Sequence, residues 1–243
     1  MKKILVTLTL LAVAGFAAQA QLLNFGFKGG AGFAAHVDDL ATNRPVLAAN
    51  VGGFVNFGFT NSESFIGQNL QLQTGLTLIR RGSQFEEVLE GMRSVREGRH
   101  LAYYLQLPLL VTYRQELPIR SPGHFGLVSL GPAVSYGLFG TTDDRKMSRG
   151  FPQADWNYKI SGDPVFDHLN RLDVGFLFGV GYEWQDLSVM LQFDYGFLAV
   201  SEETDALKTD QESRSYRTSD VLVVPQGNNF ALLLTVGYQL PVR

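Results

Sequence analysis

The segment Ser188–Phe197 alternates large apolar residues with mostly small or polar ones. The same alternation returns over residues 229–240. A period of two places the two sets of side chains on opposite faces of a β-strand. In a soluble sandwich the apolar face points to a core, whereas in a membrane barrel it points to lipid and the polar face points inward. The alternation therefore restricts the fold to a soluble β-protein or a transmembrane barrel.

The N-terminus predicts export from the cytoplasm. Lys2 and Lys3 form a short basic head, residues 4–18 are almost entirely apolar, and Ala18-Gln19-Ala20 has the small-x-small pattern of a cleavage site. The apolar run is shorter than the roughly 20 residues of a membrane-spanning helix. We therefore predict a cleaved signal peptide over residues 1–20 and a single mature domain over residues 21–243.

Composition supports an exported β-protein and excludes several classes. The chain has no cysteine, so its stability must come from burial and strand pairing without disulfides. Glycine (26 residues) and aromatic residues (12%) are abundant. The formal net charge is −3, and lysine and arginine are not clustered along the sequence, so the chain lacks the basic surface that nucleic-acid binding requires. No motif for a nucleotide, zinc or other cofactor is present, and we predict none.

The periodicity predicts eight strands. Most are longer than the usual globular strand of about 5–6 residues and are long enough for a tilted membrane strand, which needs about 9–11 residues. The predicted strands are Leu23–Ala35, Ala49–Thr60, Asn69–Arg80, Leu101–Arg114, His124–Phe139, Leu172–Trp184, Leu187–Val200 and Asn229–Leu240.

The connections between these strands alternate in length. After a moderate first gap (36–48), the short connections are 61–68, 115–123 and 185–186, and the long ones are 81–100, 140–171 and 201–228. Outer-membrane barrels have short periplasmic turns and long extracellular loops. We therefore predict an all-β, eight-stranded antiparallel up-and-down transmembrane barrel in the outer membrane, with both termini in the periplasm.

Strand parity points a set of polar side chains into this barrel. They are Lys28, Gln71, Gln73, Gln106, Arg114, Glu183, Gln192 and Asp194. A buried charge is costly unless it is paired, so we expect Asp194 to contact Lys28 or Arg114. Pro108 and Pro132 fall inside strands, where proline cannot donate to the ladder, and we expect a bulge or local distortion at each.

Several phrases resemble a known family. They are Tyr104-Leu105-Gln106-Leu107-Pro108-Leu109-Leu110, Gly131-Pro132-Ala133-Val134-Ser135-Tyr136, Asp173-Val174-Gly175-Phe176 with Gly179-Val180-Gly181-Tyr182, Leu234-Thr235-Val236-Gly237-Tyr238 and the early Phe27-Lys28-Gly29-Gly30. Together they resemble the PorT-type outer-membrane β-barrels of Gram-negative bacteria. The resemblance implies an eight-stranded barrel and, from the founding member, a link to the type IX secretion machinery. The chain departs from many outer-membrane barrels by ending in Pro241-Val242-Arg243 and not on an aromatic residue.

An eight-stranded barrel is just wide enough for side chains to fill it, so passive transport is not expected. The inward polar residues then form either a structural plug or a ligand or proton site. Asp167-His168 with Ser148 or Ser161 could form a hydrolytic triad, and Glu86-Glu87 and Asp143-Asp144 could coordinate calcium. The spacing of these residues supports neither site.

The sequence is best explained by a non-enzymatic outer-membrane barrel with a structural or interaction role, connected to secretion or envelope integrity. It would contact lipid through its strands and envelope or secretion proteins through the loops 140–171 and 201–228, which carry Phe151, Trp156, Tyr158 and Tyr216. Two alternatives stay open. One is a periplasmic lipocalin-like barrel with an apolar interior, and the other is a lipid-modifying barrel enzyme.

Overall fold

The computed structural model describes residues 20–37, 42–59, 69–89, 94–119, 122–148, 156–162, 170–200 and 227–241. Almost all of them form β-strands. The strands are β1 (Ala20–Val37), β2 (Thr42–Phe59), β3 (Leu70–Leu89), β4 (Ser94–Glu116), β5 (His124–Ser148), β6 (Trp156–Gly162), β7 (Leu172–Trp184), β8 (Leu187–Ala199) and β9 (Asn228–Pro241). No described helix is long and apolar enough to cross a bilayer.

Eight of these strands close into an antiparallel barrel, as the periodicity predicts. The ring runs β1-β2-β3-β4-β5-β7-β8-β9, and β1 pairs with β9 from Asn24–Pro241 to Val37–Asn228. β6 lies outside the ring and pairs only with the last part of β5 in the described part of the chain. Closure removes the sheet edges within the ring, which is a requirement for a sheet in lipid.

The apolar side chains face outward. Along β7, Val174, Phe176, Phe178 and Val180 are exposed while the residues between them are buried. β8 and β9 show the same arrangement, with Leu191 52% and Leu234 55% exposed. This area of exposed apolar surface far exceeds what a soluble monomer tolerates. The lipocalin-like alternative, which requires an apolar interior and a polar exterior, is therefore wrong.

Strand length matches the thickness of a membrane. β7 has 13 residues, which at about 3.3 Å per residue gives about 43 Å along the strand. A tilt of about 45° reduces this to about 30 Å across the bilayer, the thickness of its hydrocarbon core. Tyr182, Trp184 and Tyr238 are exposed at one end of the barrel and Tyr136 at the other, where amphipathic rings suit the lipid–water interface.

The two ends of the barrel differ. At one, here termed the turn end, lie the Gln185-Asp186 turn, the connection from Leu117 to Gly123 and the Asn24–Pro241 pair. At the opposite or extended end, β2, β3, β4 and β5 continue past the point where β7 begins. Tyr136 of β5 pairs with Leu172, the first residue of β7. The remainder, Gly137–Ser148, projects roughly 40 Å at about 3.3 Å per residue.

The projection corrects two predicted loops. Residues 81–100 belong mainly to β3 and β4, which pair up to Leu89–Ser94. Residues 140–171 contain the end of β5 and all of β6. These parts of the strands resemble loops in the sequence because they are rich in charged residues. They extend beyond the apolar belt of the barrel, where an alternation of apolar residues is not required. The third predicted long loop, residues 201–228, lies largely outside the described residues.

The prolines interrupt pairing without shifting its register. The β3–β4 ladder skips from Thr74–Leu109 to Thr77–Gln106 opposite Pro108. The β4–β5 ladder skips from Pro108–Ala133 to Val111–Leu130 around Pro132. The expected bulges are therefore absent at these two sites, and the distortion is confined to missing ladder pairs. The Thr74 hydroxyl donates a hydrogen bond to the Pro108 carbonyl at 2.8 Å.

Candidate functional site

A buried ion cluster occupies the interior toward the extended end. The Arg81 guanidinium of β3 contacts two carboxylates from the opposite wall, through Nη1 to Asp173 Oδ2 at 3.1 Å and through Nη2 to Asp194 Oδ2. All three side chains are 4% exposed or less. The guanidinium also lies over the Tyr104 ring, 5.7 Å from its centroid. This cluster links β3 to β7 and β8 across the lumen.

Amide side chains complete the cluster. Gln106 Nε2 donates to Asp194 Oδ2 at 2.9 Å, and Asn229 Nδ2 donates to Asp173 Oδ2 at 3.0 Å. Gln106 also approaches Ser135 Oγ at 3.4 Å. Hydrogen bonds to a charged group are stronger than neutral ones, and they offset part of the cost of burying two carboxylates. The ion pairs and amides together join five strands of the ring: β3, β4, β7, β8 and β9.

Gly196 makes room for one of these carboxylates. A Cβ atom at this position would lie 2.8 Å from Asp173 Cγ and closer still to its oxygens. The glycine is on β8, opposite Gly175 of β7. A larger residue at position 196 would push Asp173 out of reach of Arg81.

Two histidines form a layer next to the ion cluster. His36 Nδ1 and Ser83 Oγ are hydrogen-bonded at 2.7 Å, and His100 Nδ1 and Thr142 Oγ1 at 2.9 Å. The two imidazole rings are 5.8 Å apart, and Asn229 of the ion cluster lies beside His36. His36 is 3% and Ser83 0% exposed, so this Ser–His contact is closed to any substrate.

A second ion pair lies at the turn end. Arg114 donates to Glu183 Oε1 from Nε at 3.0 Å and from Nη2 at 2.7 Å. Gln239 Nε2 donates to the other carboxylate oxygen at 2.8 Å. The Arg114 guanidinium stacks on Phe125, 3.2 Å from the ring centroid. The pair is half-open to solvent, because Arg114 keeps 29% exposure while Glu183 keeps 5%.

Between the two ion pairs is a small cavity of about 40 Å³, with both polar and apolar side chains in its wall. Lys28 lies in its wall, together with the amides of Asn56, Gln71, Gln73, Gln192 and Gln239. Asn56 donates to Asn24 Oδ1 at 2.7 Å and accepts from Gln73 at 2.9 Å. A wider opening of about 250 Å³ at the turn end shares Gln71, Glu183 and Gln239 with the cavity.

Charge in the described lumen is balanced. Its cations are Lys28, Arg81 and Arg114, and its carboxylates are Asp173, Glu183 and Asp194. The two halves are not neutral, because the Arg81 cluster carries one excess negative charge and the turn-end half carries Lys28 as an excess cation. At the level of Arg81 the lumen is filled by side chains that are almost fully buried. This level leaves no space for a solute to pass.

The structure assigns positions to all eight inward residues from the sequence. Gln106 and Asp194 belong to the ion cluster, Arg114 and Glu183 pair with each other, and the others line the cavity: Lys28, Gln71, Gln73 and Gln192. The expected partner of Asp194 is wrong. Asp194 contacts Arg81, whereas Arg114 binds Glu183 and Lys28 makes no direct contact with Asp194.

Arg81, Asp173 and Asn229 are central to the cluster but are not among the residues that the sequence predicts to face the interior. Arg81 falls in the predicted connection 81–100, and the other two lie at the ends of predicted strands. One signal could have indicated Arg81. It follows Ile79 at a spacing of two, and Ile79 and Ser83 are also buried, so the inward parity of β3 continues past the predicted strand end.

The remaining sequence candidates, except Asp143, fall outside what the structure describes. Asp167 and His168 lie outside the described residues, and only the backbone is described for Ser148, Ser161, Glu86, Glu87 and Asp144. Asp143 lies on β5 and is half-buried. Across the described ranges, no group of three or more histidine or acidic side chains is arranged to hold a metal ion.

Comparisons with known proteins returned a family model and several solved structures. No curated protein matches this sequence. Among solved structures, it is similar to the attachment invasion locus protein Ail of Yersinia pestis, with a TM-score of 0.33 and 9% identity over 90% of this chain and 100% of that one. It is also similar to Ail in complex with the heparin analogue sucrose octasulfate (TM-score 0.38, 11% identity, 90% and 100% covered). The Neisserial surface protein A, NspA, gives a TM-score of 0.38 and 11% identity over 89% and 97%.

A protein-family model gives the assignment. Residues 17–202, well over half of the chain, match the family described as outer membrane protein beta-barrel domain. The closed antiparallel ring, the outward apolar belt and the polar interior are the features expected of such a domain. This chain therefore belongs to the outer membrane protein beta-barrel domain family.

Proposed function

We propose that this outer-membrane barrel acts as a non-enzymatic interaction component of the cell envelope, and that its projection, formed by β2–β6 beyond the barrel, is the contact surface. The observation that carries the proposal is the contrast between the two parts of the molecule. The lumen is filled at the Arg81 cluster, which argues against transport. The strands beyond the barrel, in contrast, add a sheet that membrane insertion does not require.

The free edge of β6 is the part of this projection suited to a partner. β6 pairs with β5 from Gly140–Gly162 to Lys146–Trp156, and within the described chain its other side has no strand beside it. An unpaired edge offers a row of backbone donors and acceptors to which an extended segment of another protein can add. Closed barrels avoid such edges, so an edge retained outside the membrane supports a binding role.

We further propose that the turn end faces the periplasm and the projection faces outward. The short connections at the turn end support this orientation, since outer-membrane barrels have their short turns on the periplasmic side. The resemblance to PorT-type barrels makes the type IX secretion machinery the first partner to test. Envelope integrity is the alternative role, and a deletion strain separates the two by cargo secretion and by detergent sensitivity.

Site-specific photo-crosslinking in the native host tests the proposal. A photoreactive residue replaces Arg99, which is exposed on the projecting part of β4. Leu191, exposed on the lipid-facing belt, gives the matched control. A discrete protein adduct at position 99, absent at position 191 and absent when residues 141–162 are replaced by a short turn, supports the proposal. No adduct at position 99 in cells, with the barrel correctly inserted, contradicts it.

A further inference from the structure

Lys28 is the one cation of the described lumen that has no direct partner. Arg81 and Arg114 each contact carboxylates, whereas Lys28 has neither a hydrogen bond nor an ion pair within the described chain. Asp194 acts on it only through longer-range electrostatics. Lys28 lies on β1 between Gly52 of β2 and Gly237 of β9.

The wall around Lys28 contains further unused polar atoms. Thr235 lines the same cavity and is 4% exposed, and its hydroxyl has no hydrogen-bond partner in the described chain. Both polar side-chain atoms of Asn50, which is 5% exposed and does not line the cavity, are likewise unpartnered. Asn50 and Thr235 flank Gly30, where a Cβ would lie 2.8 Å from Asn50 Oδ1 and 2.7 Å from Thr235 Oγ1. Buried polar groups without partners are rare in folded proteins, and one of them, the Thr235 hydroxyl, shares the cavity with the unpaired Lys28.

Size and charge define what this site can accept. A cavity of about 40 Å³ holds about three water-sized atoms at roughly 10–15 Å³ each, which is the number of heavy atoms in a carboxylate group. Of the two charged side chains that line the cavity, Glu183 is paired with Arg114 whereas Lys28 is not paired among the described residues, so an anion is favoured over a cation next to Lys28. Asp186, a further carboxylate, lines only the wider opening. The amides along the wall can donate to carboxylate oxygens. The wider opening of about 250 Å³ leaves room for the rest of a larger molecule.

We propose that the cavity at Lys28 is a binding site for a carboxylate group that enters from the turn end. The Lys28 ammonium pairs with the carboxylate, and the Thr235 hydroxyl donates a hydrogen bond to one of its oxygens. Arg114, Glu183 and Asp186 line the opening. Glu183 also lines the cavity, where Arg114 and Gln239 hold its carboxylate. The carboxylate belongs either to a small free acid or to the C-terminus of a peptide, and these two sources share the same recognition chemistry.

The test uses the full-length protein refolded in detergent micelles and followed by NMR. The amide signals of Gly52 and Gly237 are the reporters because both residues flank Lys28 in the sheet. Formate is titrated at constant ionic strength against chloride. The expected result is a saturable shift of both signals. A shift that rises linearly with formate, or no shift, overturns the proposal.

Variants assign the effect to the site. Lys28→Met keeps the length of the side chain and removes its charge, and we expect it to abolish saturation while the rest of the spectrum stays folded. Arg44→Gln removes the same charge at an exposed position on β2 toward the extended end, and should behave as wild type. Thr235→Val should weaken formate binding by about 10-fold or more, the equivalent of one lost hydrogen bond to a charged group. Unchanged binding in Lys28→Met would refute the site.

A second titration, with peptides in place of formate, identifies the source of the carboxylate. A neutral tripeptide with a free C-terminus is compared with its C-terminal amide. Binding of the free peptide at least 10-fold more tightly than formate, with no binding of the amide, assigns the site to a chain terminus. Binding of formate alone assigns it to small acids. Equal binding of the amidated peptide contradicts recognition of a carboxylate.

Discussion

Arg81 and Asp194 are 113 positions apart in the chain and form a buried ion pair across the barrel lumen. Asp173 shares the same guanidinium from the neighbouring strand. Because the pair joins opposite walls, it restrains the shape of the barrel as well as filling it.

Removing the Arg81 charge should destabilise the barrel strongly. Arg81→Met leaves Asp173 and Asp194 buried without their cation, and breaking a buried ion pair from one side costs about 3–5 kcal/mol. The measurement is urea-induced unfolding in lipid vesicles. Arg80→Met is the matched control, since the neighbouring Arg80 donates to the Leu47 carbonyl at an exposed site. Equal stability of the two variants would contradict the structural role of the cluster.

Neutralising the whole cluster should cost less than removing its centre. In Arg81→Met/Asp173→Asn/Asp194→Asn no buried charge of the cluster is left unpaired, so much of the loss in the single variant should be recovered. The same unfolding measurement applies. A triple variant less stable than Arg81→Met would show that the carboxylates stabilise the barrel independently of the arginine.

Gly196→Ala should destabilise the barrel by about 1–3 kcal/mol, the usual cost of overpacking. The new methyl group would collide with the Asp173 carboxylate and displace it from Arg81. Gly29→Ala provides the control, because a Cβ there meets only the Asn50 carbonyl at 3.7 Å, an ordinary contact. Unfolding midpoints of the two variants should therefore differ clearly, and coincident midpoints would argue against steric selection at position 196.

If the barrel spans the membrane, a charged residue on its outer face should lower the free energy of unfolding by an amount that depends on its depth in the bilayer. Leu191→Arg places a cation within the apolar belt, where arginine costs about 2–4 kcal/mol at the bilayer midplane. Leu187→Arg lies on the same face of β8 at the turn end, beside Asp186, and should cost about 0–1 kcal/mol. Both are measured by unfolding from lipid vesicles. The reverse order would place the belt at a different depth.

A filled lumen predicts no channel. The purified protein in a planar bilayer should show no stepwise conductance, because side chains block the level of Arg81. The inserted Arg81→Ala/Gln106→Ala variant should show small conductance steps, because it lacks two of the side chains that fill the lumen. Regular channel steps from the wild-type protein would contradict the filled interior.

The fold class and the two faces of the barrel follow from local properties of the chain. A period of two is a local property of the chain, so Val189, Leu191 and Phe193 identify the lipid face without knowledge of any partner strand. The same parity indicated that Glu183, Gln192 and Asp194 point inward. Strand ends were less well defined, because the projection of β3, β4 and β5 beyond the membrane has no apolar pattern to mark it.

Which inward residues meet depends on how the strands are arranged around the closed barrel. Contacts across a lumen depend on the stagger of every strand around the ring, and this quantity is not encoded in the alternation of any one strand. Arg81 thus replaced Lys28 and Arg114 as the partner of Asp194, and Lys28 was left facing a cavity. The alternation in Ser188–Phe197 fixes the direction of each side chain, but closure of the barrel determines the group that it reaches.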